Sequence, residues 1–295
     1  LLEIFENGPL TGKEFMRETG MEIFAAWQFC ASSPELVHQT VGRRYLRLDQ
    51  KVGGYARLSP SIMREFLNYT VIGLVGQETT VQKMATQINE EIMAISARKI
   101  ALARETIARI VDNHRDGEQL AAKSCFIIAG DVVFGMAHAE PRPESSTGEL
   151  VKGSDLDIIT ITSGLTAELI ADLDSTIYRE KYNLLMNPAS KEELDYIIKD
   201  LALVKEQLLF RDFKAMVASK ILAEGRYLYG SEVLYAEVKK SVVENGIPEK
   251  IAALEEKAVL DRFEAEQELL IAPPSADRER LMALFYTTEE KEEIF

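Results

Sequence analysis

One stretch constrains this chain more than any other: Lys152-Gly-Ser-Asp155-Leu-Asp157-Ile-Ile-Thr-Ile-Thr162, in which two acids interrupt an apolar, β-branched run. Such a run has strand character. Successive strand side chains alternate faces, so Asp155 and Asp157 are expected on one side and Leu156 and Ile158 on the other. Like charges that close repel unless a cation lies between them. Hard oxygen ligands on a rigid strand suit Mg²⁺ or Mn²⁺, which accept one or two carboxylates and keep room for substrate phosphates. The plainer alternative is a polar turn entering a strand, with Gly153, Ser154 and Asp155 shaping the turn and Asp157 exposed.

Composition narrows the setting of this segment. The chain has 295 residues, 46% hydrophobic and 28% charged, which is ordinary for a globular protein and wrong for a collagen-like or disordered one. The stretches without charge, 23–34 and 66–77, fall well short of the roughly 20 apolar residues that span a bilayer, so no membrane partner is expected. Two cysteines, Cys30 and Cys125, lie far apart among apolar neighbours, which argues against a disulfide framework and points to the cytoplasm. The first residue is Leu rather than Met, so the natural start is expected to be missing; no basic segment followed by an apolar run opens the sequence.

The net charge of −14 is unevenly spread. Residues 37–64 carry Arg43, Arg44, Arg47, Lys51, Arg57 and Arg64 against Asp49 alone, whereas 241–295 is strongly acidic. Periodicity divides the chain accordingly. Residues 1–70 read as short helices, one opened by the capping box Thr11-Gly-Lys-Glu14 and stopped at Gly20. A third apolar segment covers 21–31, and Ser33-Pro34 looks like the start of another helix. Arg44-Tyr-Leu-Arg-Leu-Asp49 and Gly54-Tyr-Ala-Arg-Leu-Ser59 then alternate like a hairpin. Short helices followed by a hairpin resemble a winged-helix domain. A long helix over 79–114, within a connector of residues 71–120, carries Ile88, Ile92, Ile95 and Ile107 as a core stripe or a homodimer seam. Residues 121–230 alternate strands and helices, with a turn-rich loop over 140–148 and a helix over 167–186. Residues 231–295 read as an acidic helical region, and helix is also expected through most of 201–270, with breaks at Gly225, Gly230 and Gly246.

With Phe126-Ile-Ile-Ala-Gly130-Asp131 as a glycine-ended strand and Ser154-Asp155-Leu-Asp157-Ile-Ile as an Asp-x-Asp strand, residues 123–230 resemble the DNA polymerase β-type nucleotidyltransferase superfamily. A third acid on a later strand is expected at Asp195, in Leu194-Asp195-Tyr-Ile-Ile198. The same residues also fit a helix opened by the capping box Ser190-Lys-Glu-Glu193. Residues 215–230, ending Gly225-Arg-Tyr-Leu-Tyr-Gly230, look like the helix and Gly-Leu-Tyr-Gly ending of small members. The resemblance implies a mixed α/β (α+β) fold with a small mixed sheet flanked by helices. It also implies Mg²⁺-dependent (or Mn²⁺-dependent) transfer of a nucleoside monophosphate from a nucleoside triphosphate to an acceptor hydroxyl. Asp155 and Asp157 would hold metal, and Asp195 would assist the catalysis. Gly130, Asp131, Ser154 and Lys220, with Arg226, would meet the nucleotide. Two departures stand out: Asp131 occupies a place where serine is usual, and the loop from Gly130 to Asp155 is long. The competing expectation is a non-catalytic nucleotide-sensing regulator. Arg43, Arg44, Arg47 and Arg57 are the candidate nucleic-acid contacts, with a protein partner through 37–64 as the alternative.

Overall fold

A computed structural model describes residues 1–144, 147–273 and 277–287. Ser145 and Ser146 of the expected loop, and residues 274–276 and 288–295 of the expected acidic region, lie outside the described residues. The fold is mixed α/β, 58% helix and 18% strand. The chain divides into two compact units, Leu1–Ile92 with Leu254–Phe295, and Met93–Ala253. The sequence boundaries at 70, 120 and 230 fall elsewhere, because residues distant in sequence share the first unit's core.

The first unit opens with a 3-10 turn, Leu2–Asn7, then β1 (Leu10–Thr11), α1 (Gly12–Thr19), α2 (Ile23–Ser32), β2 (Leu36–Thr40), β3 (Tyr45–Leu48), β4 (Ala56–Ser59), α3 (Ile62–Tyr69) and β5 (Thr70–Leu74). The Thr11 and Glu14 capping box opens α1, as its sequence predicts, and Gly20 ends it in a left-handed conformation. The helix expected after Ser33-Pro34 does not form. Residues 36–40 instead pair antiparallel with β5, giving a sheet of order β1-β5-β2, so strand pairing overrides a local capping signal. β3 and β4 form the expected hairpin, with Arg47 opposite Arg57.

Helix α4 (Glu78–Asp112) starts in this unit and continues into the second, and α11 (Ile247–Ile271) crosses the other boundary. In the second unit follow α5 (Gly117–Lys123), β6 (Ser124–Ala129), α6 (Asp131–Phe134), β7 (Pro141–Pro143), β8 (Leu150–Lys152), β9 (Leu156–Thr162), α7 (Ala167–Met186), β10 (Leu194–Asp200), α8 (Leu201–Gln207), α9 (Phe213–Glu224), β11 (Arg226–Gly230) and α10 (Glu232–Glu244). Helix α12 (Arg278–Phe285) belongs to the first unit, whose core joins Phe5, Phe15, Trp27 and Phe66 to Leu269 and Phe285.

The second unit is built on a sheet of order β10-β9-β6-β11, with β10 parallel to β9 and the other neighbours antiparallel. Both faces are buried. Phe126, Ile128, Leu156 and Ile158 pack against Ile107 and Val111 of α4 and Leu173 and Ile177 of α7. Cys125, Ile127, Ile159 and Ile161 pack against Leu222, Leu234 and Val238. The isoleucine stripe from Ile95 to Ile110 is therefore core of this unit. Two expectations need correction. The loop over 140–148 contains β7, a strand that its prolines concealed, and residues 226–230 form β11 within a stretch expected to be mostly helix.

Candidate functional site

The sheet register brings acids from two strands to one end. In the parallel pair, Leu156 lies opposite Leu194 and Asp157 opposite Asp195. Leu194–Asp200 is therefore a strand, and the helical reading of this segment is wrong. With a period of two, Asp155 and Asp157 on one strand face Glu193 and Asp195 on the other, all on the side of the sheet opposite Leu156 and Leu194. A parallel ladder thus turns two Asp-x-Asp-like spacings into a grid of four carboxylates. Oxygens of Asp155, Glu193 and Asp195 lie within 4.8 Å of one another, a spacing that could hold a metal ion. Asp157 is not part of that triad.

Asp157 faces the end of β6 instead, where Ala129 is its register partner. A Cβ built on Gly130 would stand 2.1 Å from Asp157 Oδ2, and Gly130 has φ +76°, so only glycine suits this position. Among the described residues, the Asp157 carboxylate accepts no hydrogen bond and meets no cation at ion-pair distance. Burial, followed by the charges of Asp131, Asp195 and Glu193, pushes its carboxyl up to about 6, with Arg142 pulling the other way. The carboxylate is short of positive charge.

Two cations serve the neighbouring acids. Arg142 of β7 is buried, its Nη2 pairing with Asp155 and, at 2.9 Å, with Glu193 Oε2, while its Nε donates to the Gly153 carbonyl at 2.8 Å. Lys181 of α7 reaches Asp195 Oδ1 at 2.6 Å. With Asp131 included, five carboxylates gather at this end of the sheet, with Arg142 and Lys181 among them.

The remaining expected residues divide. Asp131 opens the four-residue α6 and accepts from Ser154 Oγ at 3.3 Å. The Ser154 hydroxyl also accepts from the His138 amide at 3.2 Å, so it ties loop to site. Gly153, at φ +64°, lets that loop pass, since a Cβ there would meet the His138 carbonyl at 1.9 Å. Lys220 pairs with Glu224 and lies 5.5 Å from the centre of the Phe134 ring, and Arg226 donates to the Val133 carbonyl. Neither contacts the acid grid through these bonds.

In the first unit, Arg44 clasps Glu65 with two bonds of 2.6 and 2.7 Å and reaches Glu266 at 2.9 Å, while Arg57 pairs with Asp49 at 3.2 Å. Arg44 also lines a cavity of about 200 Å³ beside Trp27, His38 and Phe66. Arg43 is exposed and Arg47 half-buried. Sequence reasoning missed Glu193, Arg142 and Lys181. Glu193-x-Asp195 repeats the spacing of Asp155-x-Asp157 and was legible; Arg142 and Lys181 carry no local signal.

No family model, no curated protein and no solved structure matches the chain. Any likeness to nucleotidyltransferases rests on the residues above.

Proposed function

We propose that the second unit is a divalent-cation-dependent nucleotidyltransferase of the DNA polymerase β-like kind, acting on a nucleoside triphosphate and an acceptor hydroxyl. The observation that carries the reading is the Asp157–Asp195 pairing on parallel strands, beside a glycine-ended strand and an Asp157 carboxylate without a counter-ion. The donor set fits Mg²⁺ or Mn²⁺: all oxygen, fixed on two strands, with one member uncompensated. Asp155, Glu193 and Asp195, whose oxygens converge, would hold the ion, with the Asp157 carboxylate beside them for a second cation or the substrate's own. When bound, it would supply the positive charge that a polyphosphate and a developing alkoxide require. Asp195, oriented by Lys181, accepts the proton of the attacking hydroxyl. Gly130, lacking a side chain, lets the Asp157 carboxylate lie against the end of β6.

The second reading is a nucleotide sensor that binds without turnover. Asp131 in the serine place and Arg142 among the acids favour it, since both alter the charge a triphosphate would meet. Incubation with labelled nucleoside triphosphates and candidate hydroxyl acceptors separates the two. The enzyme reading predicts pyrophosphate release with Mg²⁺ or Mn²⁺ that is lost in Asp157→Ala; the sensor binds nucleotide and leaves it intact.

For the first unit, short helices followed by the β3–β4 hairpin support the winged-helix-like reading. With Arg44 and Arg57 occupied by carboxylates, a protein partner for residues 37–64 is favoured over nucleic acid. Among the described residues no helix is long and apolar enough to cross a membrane.

A further inference from the structure

We infer that the first unit holds a small-molecule site, in which the cavity beside Trp27 takes a zwitterionic α-amino acid with an apolar side chain. This goes beyond the chemistry proposed for the second unit, since every residue lining the cavity belongs to the first. The cavity measures about 200 Å³. An apolar cavity of about 150 Å³ takes benzene, and drug-sized ligands occupy about 300 Å³ or more, so this one suits a single ring or one branched side chain. Its apolar wall is assembled from four elements: Trp27 from α2, Ile62 and Phe66 one turn apart on α3, Ile72 from β5 and Leu270 from α11. All but Leu270 are buried.

The polar lining offers both signs of charge. Arg44 spends Nε and Nη2 on Glu65, and Nη2 also on Glu266, so its Nη1 makes no hydrogen bond among the described residues. Glu266 receives Arg44 and Arg262 on the same oxygen, Oε1, and among the described residues its Oε2 accepts no hydrogen bond. A charged donor and a charged acceptor therefore stand open on two side chains that are bonded to each other. The Thr70 hydroxyl donates to the Glu65 carbonyl at 2.9 Å, so Thr40, 3.3 Å from it, is the donor of that pair and keeps its own lone pairs as acceptors. Arg44 and Arg262 balance Glu65 and Glu266, which favours a ligand that carries both charges over a lone cation or anion. In an α-amino acid the ammonium, the carboxylate and the side chain leave one carbon. The carboxylate would accept from Arg44 Nη1, the ammonium would donate to Glu266 Oε2 and Thr40 Oγ1, and the side chain would lie against Trp27 and Phe66.

Trp27 is the chain's single tryptophan and lines the cavity, so its emission reads occupancy without a label. The test titrates the full chain to millimolar concentration with L-leucine and L-phenylalanine, following Trp27 emission and the heat of binding. Two analogues of phenylalanine accompany them: hydrocinnamate, which lacks the ammonium, and phenethylamine, which lacks the carboxylate. The expected result is saturable binding of L-phenylalanine or L-leucine with a change in emission. Each one-charge analogue should bind about tenfold or more weakly, having lost one charge-assisted hydrogen bond. Glu266→Gln should weaken amino-acid binding by a similar factor. Absence of saturable heat with both amino acids overturns the inference, and so does an analogue that binds as tightly as phenylalanine. Heat without a change in Trp27 emission, or a folded Glu266→Gln that binds like the wild type, places the ligand elsewhere and overturns it too. The analogue series and the emission need no variant, so the test stands even where Glu266→Gln fails to fold.

Discussion

Asp157 bears most of the electrostatic tension in the second unit. Its folded pKa of about 6 lies above the ordinary aspartate value of about 3.9, so the native state holds this proton more tightly than the unfolded chain. The stability contributed is then fully present below about pH 4 and lost as pH rises through 6. Two pKa units correspond to on the order of 3 kcal/mol, which the metal-free protein forgoes at neutral pH. Asp157→Asn, which mimics the protonated acid, should therefore raise stability in chelator at pH 7.5 by roughly 2–3 kcal/mol, and by little at pH 4. Denaturant titration at the two pH values checks this, and an unchanged or lowered stability at pH 7.5 would refute it. At this scale the sequence disclosed Asp155 and Asp157, because strand alternation is local. It hid Arg142 and Lys181, whose partners lie 13 and 14 or more residues away, on other elements. Glu193 was readable in principle, but its place in Ser190-Lys-Glu-Glu193 suggested a helix cap.

Among the elements, those with strong local periodicity were legible: α1 through its capping box, α7 between Thr166 and Asn187, and β9 through its β-branched run. Elements decided by pairing were not. β2 followed a Ser-Pro signal that usually opens a helix, and β7 contains two prolines. Glu144 N–H donates to the Glu149 carbonyl at 2.8 Å, so a period of two puts Pro141 and Pro143 at the alternate positions, where β8 requires no N–H. Element packing in the first unit also depends on a network that no local pattern announces. Arg44, Glu65, Arg262 and Glu266 interlock, with Arg262 Nε donating to Glu266 at 2.6 Å and Nη1 to the Pro60 carbonyl at 3.0 Å. Glu266 accepts from both arginines, Glu65 accepts two bonds from Arg44 and stands 3.3 Å from Arg262 Nη2 as an ion pair, and Arg262 is almost fully buried. Glu65→Ala leaves Arg44 and the buried Arg262 sharing Glu266 alone and should cost about 3 kcal/mol. Trp27, the chain's single tryptophan, belongs to this unit's core, so its fluorescence during urea unfolding reports the loss. A shift below about 1 kcal/mol would show the network to be dispensable.

For the whole molecule, the two units call for separate tests, since the acids lie in one and the basic hairpin in the other. With a net charge of −14 and with Arg44 and Arg57 engaged by carboxylates, the chain should give no mobility shift with single- or double-stranded nucleic acid even at low salt. A salt-sensitive shift abolished by Arg43→Glu with Arg47→Glu would restore the nucleic-acid reading. The central claim concerns the acids at the shared end of β9 and β10. Diffraction from crystals soaked with Mn²⁺ and a non-hydrolysable nucleoside triphosphate, collected for manganese anomalous signal, tests it most directly. The account predicts a peak within coordination distance of Asp195 and its converging neighbours Asp155 and Glu193, with triphosphate oxygens completing its shell. A map without manganese at these carboxylates, and with Arg142 still between Asp155 and Glu193, would contradict it.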